Sequence, residues 1–179
     1  GAILAGAMIG LWPIGLLSDR IDRRLVIAGA AGIGAAAAAS IAVASSGSSP
    51  GLVLLLAGVF GAGSLSYYGV AVANAADRAS TDEITSMMAG ILVIWGIGSV
   101  LGPPAAGVFL MFAPGGAGLF VFAAIALFVL CILCLSRVAI APPAPADGRE
   151  PFSVSPATSL AIAGLDPRGD ETQPDLFSV

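Results

Sequence analysis

The chain has 179 residues, 58% of them hydrophobic and only 10% charged, with seven basic residues against eleven acidic ones and a net charge of −4. Soluble domains carry about 25% charged residues, so the composition excludes an ordinary soluble domain. All the basic residues are arginine and histidine is absent, which removes any imidazole proton relay from the chain. The acidic excess sits in a few loops and at the end of the chain, and nucleic acid is not an expected partner.

A transmembrane helix needs about 20 mostly apolar residues, and the charges cut this chain into blocks of that size. Residues 1–18 are charge-free and give a first span near 1–17. Gly1 already lies inside apolar sequence, with no initiator Met and no basic signal region. The chain is therefore expected to be a fragment that begins partway through a helix. Next comes GLLSDRIDRR at 15–24, a charged cluster wedged between apolar stretches and so a short loop outside the bilayer. A second span is expected near 24–44. Its small residues, Gly29, Gly32, Gly34 and Ala35 to Ala39, give a smooth face that lets helices approach closely in lipid.

The polar break SSGSSPG at 45–51 leads to a third span near 51–75, which carries Gly58, Gly61, Gly63, Tyr67, Tyr68 and Asn74. The loop ADRASTDE at 76–83 follows, and its STDE fits a capping box in which Ser80 and Glu83 exchange hydrogen bonds at a helix start. A fourth span near 84–111 contains Trp95 and the sequence GSVLGPPAAG. After APGGAG at 113–118, a fifth span lies near 115–136. Cys131 and Cys134 fall in it and read as packing residues, because a reactive C-x-x-C needs a polar setting. Residues 1–136 thus form a transmembrane helix bundle. Residues 137–179, rich in Pro and acidic residues, read as a disordered cytoplasmic tail.

The arginines set the orientation. Arg20, Arg23 and Arg24 follow the first span, Arg78 the third and Arg137 the fifth, while the loops after the second and fourth spans hold no charge. Basic loops stay cytoplasmic, so every charged residue falls on one side. The fold class is all-α integral membrane, a polytopic bundle of about five transmembrane helices.

Two clusters carry a mechanism. In the loop, Gly15 admits a close helix neighbour. Asp19 ends its own span unfavourably and suits the positive N-terminus of another helix. Arg20, Arg23 and Arg24 supply partners. The loop reads either as a conformational latch or as a plain positive-inside anchor. In the fourth span, Pro103 and Pro104 remove backbone hydrogen bonds and kink the helix between Gly98, Gly102 and Gly107. This reads as a gating helix or as a kinked packing helix. Tyr67, Tyr68, Asn74 and Trp95 are candidates for a substrate cavity, with packing or interfacial anchoring as the other reading.

GLLSDRIDRR resembles the G-x-x-x-D-R-x-G-R-R loop of the major facilitator superfamily of secondary transporters. Gly15, Asp19, Arg20, Arg23 and Arg24 take the motif positions, and Asp22 replaces the usual second glycine. GSVLGPPAAG resembles that family's glycine–proline antiporter motif, with Ala106 in place of a glycine. WPIGLLSDRIDRR, YYGVAVANAADR, GILVIWGIGSVLGPPAAG and GLFVF look like the eighth, tenth, eleventh and twelfth helices of the YcaD-like branch, and PFSVSPATS and LDPR look like its tail segments. The resemblance implies the last five helices of a twelve-helix fold, the C-terminal half of a transporter working by alternating access in the plasma (inner) membrane. It also implies that the loop aspartate caps a helix of the opposite half and stabilises an outward-open state. The implied partners are membrane lipid, the N-terminal half of the same protein and a small solute. No cofactor, metal or catalytic residue is expected, since no nucleophile–base pair or ligand cluster stands out and the chain does not read as an enzyme. The alternative is a non-transporting five-span scaffold or sensor whose proline-rich tail recruits a partner.

Overall fold

The computed structural model describes residues 1–44, 48–79, 83–113 and 116–140. Ser80, with the rest of the expected capping box before Glu83, and the tail from residue 141 onward lie outside the described residues. The described chain forms α1 (Ala2–Arg20), α2 (Arg23–Ala44), α3 (Pro50–Ala76), α4 (Ile84–Phe112) and α5 (Ala117–Ile140). All five are long and apolar enough to cross a membrane. At 1.5 Å per residue they run from about 29 Å to about 44 Å, against a hydrocarbon core of about 30 Å.

Helix ends follow local chemistry. Helix α1 runs on past the apolar block to Arg20, then Ile21 leaves the helix in an extended conformation (φ −126°, ψ 174°). Pro50 opens α3 at a position where its missing N–H is no loss. Gly116 precedes α5 with φ +82°, a left-handed conformation that favours glycine.

The helices form a row in which α1 packs on α3, α3 on α2, α2 on α5 and α5 on α4. Helix α2 is the centre: Val26, Ile27, Ile41 and six of its alanines are buried, whereas no residue of α4 is buried. Val26, Ile27 and Val70 form one core cluster, and Ala31, Ala35 and Leu127 another. Cys131 and Cys134 are free thiols packed on these clusters.

Glycine makes the close crossings possible. A Cβ on Gly6 would run into the backbone of Gly58, and one on Gly61 into the backbone of Ile3, which brings α1 onto α3. A Cβ on Gly63 would lie 2.6 Å from both the Ala30 carbonyl oxygen and the Gly34 nitrogen, so α3 meets α2 backbone to backbone. In lipid, such van der Waals packing replaces the hydrophobic drive that holds soluble helices together. Gly15 meets no helix among the described residues. A Cβ there would meet no atom within 4 Å. The seam of α1 on α3 runs through Gly6, and Gly10 continues it against Ala62. Gly15, five residues beyond Gly10, is turned about 140° away from that seam.

Candidate functional site

The charged end of the bundle is built by α2. Asp22 caps this helix, its Oδ1 accepting from the Arg24 backbone N–H at 3.0 Å. The same carboxylate takes the Arg24 guanidinium as a fork, Nε to Oδ1 at 3.2 Å and Nη2 to Oδ2 at 2.8 Å. The remaining arm, Nη1, donates to the Arg137 carbonyl oxygen at the end of α5, at 2.9 Å. Arg23 bears instead on the end of α3, with Nε 3.3 Å from Oδ2 of Asp77. That contact is one of charge rather than aim: Arg23 Nε has no hydrogen-bond partner although it is buried. At 3.3 Å the opposite charges still attract while the N–H points off the oxygen.

The loop therefore separates into two parts. Arg23 and Arg24 are buried and bound within the bundle. Asp19 and Arg20, in the last turn of α1, are exposed, and among the described residues no ion pair engages them. Sequence reasoning grouped all of these residues as one device. It also missed Asp22 and Asp77 as members. The signals were present: an aspartate just before an apolar helix is an N-cap candidate, and Asp77 closes the third apolar block as the arginines open the second. Position 22 needs no glycine here, because no non-glycine among the described residues has a positive φ.

Helix α4 is fastened at one end. A Cβ on Gly118 would lie 2.6 Å from the Phe109 carbonyl carbon and 2.8 Å from the Leu110 nitrogen, so α5 starts hard against the end of α4. The rings of Phe109 and Phe122 lie 5.4 Å apart there. Pro103 and Pro104 sit just before this fastening, inside a continuous helix. On the other side of them, Gly90, Gly96, Gly98 and Gly102 all face open space, as does Gly107. The large residues of that stretch, Leu92, Val93, Ile94, Trp95, Ile97 and Val100, are exposed.

The four cavity candidates do not converge. Tyr67 packs against both core clusters, Tyr68 is half exposed, and Asn74 lies near the charged end of α3. Trp95 stands on α4, which barely touches α3. A hollow of 480 Å³ between α2 and α5 is lined instead by Gly32, Ala35, Ala36, Ala39, Phe128 and Cys131 among others, all without charge.

A bundle of apolar helices whose described ionic groups gather at one end fits a polytopic membrane protein, and the sequence comparisons agree. The chain matches the Major Facilitator Superfamily over residues 1–169. It belongs to that family. It is similar to an uncharacterized MFS-type transporter, YcaD, of Escherichia fergusonii, 32% identical over 102 residues that make up 56% of this chain and 25% of that protein. Uncharacterized MFS-type transporters of Yersinia pestis and Yersinia pseudotuberculosis are each 30% identical over 102 residues, with the same coverage. The match thus spans about a quarter of the length of these curated relatives. No solved structure matches the chain.

Proposed function

We propose that this chain is part of a secondary active transporter that carries a small solute across the plasma (inner) membrane by alternating access. The charged end faces the cytoplasm, following its arginines. Asp19 and Arg20 act as the latch, and α4 acts as the gating helix. The rest of the pathway comes from further helices of the same protein, its N-terminal half, packed against α4 and the exposed side of α1. The observation that carries this reading is the state of α4: fastened to α5 at Phe109 and Gly118, interrupted by Pro103 and Pro104, and open along the arm before them. A helix held at one end beside a double proline has a place to bend and a free arm to move. Family membership and the transporter names of the relatives support the class. Residues 25–76 and 84–136 hold no charge, so coupling by a carboxylate within the membrane falls to helices outside this chain.

The latch is tested by labelling single cysteines from each side of the membrane in the complete transporter. Asp19→Asn is expected to shift the inward/outward balance while leaving insertion intact. Identical labelling of parent and variant at every site counts against the latch.

A further inference from the structure

The tie between Arg24 and α5 belongs to neither the latch nor the gate. Arg24 lies in the first turn of α2 with its side chain 7% exposed. The carbonyl it holds, that of Arg137, is in the last turn of α5. Carbonyls near the end of a helix lie toward the negative end of its dipole and favour a cation. Arg24 therefore binds the last described turn of a helix 113 residues further along the chain. Asp22 orients the guanidinium: it takes Nε and Nη2, while Nη1 reaches α5. Only a planar guanidinium can serve both partners in this way. The adjacent Arg23 bears on Asp77 at the C-cap of α3. Two successive residues of α2 thus hold the ends of two other helices.

We propose that Arg24 is a positioning residue that fastens the end of α5 to the charged loop, so that the loop and the end of α5 move as one piece. Its functional meaning rests on the alternating-access reading. A load or a binding event at the end of α5 reaches the loop that carries Asp19 and Arg20, and by linkage the state of the loop alters binding there.

The test measures a distance in the complete transporter, reconstituted in lipid nanodiscs with Cys131→Ala and Cys134→Ala. Spin labels are placed at Ile21 and Ile140, both exposed and at the two ends of the tie. The parent is expected to give one narrow distance distribution, and to keep it when Asp19→Asn shifts the balance of states. Arg24→Gln is expected to widen that distribution at least twofold and to make it differ between the two states. An equally narrow, state-independent distribution in Arg24→Gln overturns the proposal. Should that variant fail to assemble, Asp22→Asn is read in its place: it keeps the Arg24 charge, retains an oxygen to cap α2 and weakens the fork, and widening supports the tie while an unchanged width overturns it. Comparing parent and variant at rest requires no transport, so a silent Asp19→Asn counts against the latch and leaves the result for Arg24 standing.

Discussion

Helices α2 and α4 look alike as sequences: charge-free beyond their first residues, rich in glycine and long enough to span. The bundle treats them in opposite ways. More than half of the most apolar stretch of α2 is buried, and none of that of α4. In α2, Gly34 meets Leu127 and the backbone of Gly63, so the glycine is required by contact. In α4, no glycine meets anything within 4 Å. Small residues in a membrane helix thus do two jobs. Some let backbones touch, and others leave a smooth face that no described residue covers. Burial separates the two, whereas composition does not.

The sharpest way to break this comparison is Gly63→Leu. Its Cβ position is already 2.6 Å from the Ala30 carbonyl and the Gly34 backbone, and backbone cannot step aside as a flexible side chain can. Even modest overpacking costs about 1–3 kcal/mol, so the leucine variant is expected to lose a monodisperse peak on size-exclusion chromatography in detergent. A folded Gly63→Leu protein with the parent's melting temperature would show that the α2–α3 seam is not close. Next in size is Asp77→Asn, which strands the buried Arg23 charge at the same seam. Breaking a buried pair costs about 3–5 kcal/mol, and the lower end applies at a helix end near solvent. A clear fall in apparent Tm is expected, with part of it recovered in the double variant with Arg23→Gln. The smallest effect belongs to α4. Gly98→Ala and Gly102→Ala meet open space and improve helix propensity, so they are expected to leave stability within about 1 kcal/mol of the parent. In the same proteins, cysteine accessibility around the pathway should change, because a stiffer arm beside Pro103 bends less. A loss of stability larger than that would mean that a neighbour sits on these glycines as closely as α3 sits on Gly34.

Much of the fold was legible. Asp19–Arg24, Asp77–Glu83 and Arg137 cut the chain into three apolar blocks, because ionised side chains are excluded from hydrocarbon, and the uncharged breaks SSGSSPG and APGGAG divide the two long blocks to give five helices. The candidate site was less legible. Arg20 and Arg23 are three residues apart and identical in chemistry, yet one is exposed and the other buried against α3. Gly15 and Gly63 are both glycines in apolar context, and among the described residues only the second is a crossing point. Tyr67 was a cavity candidate by type, but its neighbours are the core clusters.

What the sequence determined by itself is the class of this protein: the number of helices, their ends, the side on which charge gathers and the family whose motifs it carries. These follow from local properties, namely how long an apolar run is and where charge interrupts it, and they survive without knowing which helix meets which. The tertiary structure alone decided the pairings. It put α2 at the centre and α4 at the margin, sent Arg23 to Asp77 and Arg24 to the last turn of α5, and left Asp19 and Arg20 exposed with no ion pair among the described residues. Those outcomes depend on which faces of several helices fit together at once, and no single segment carries that information.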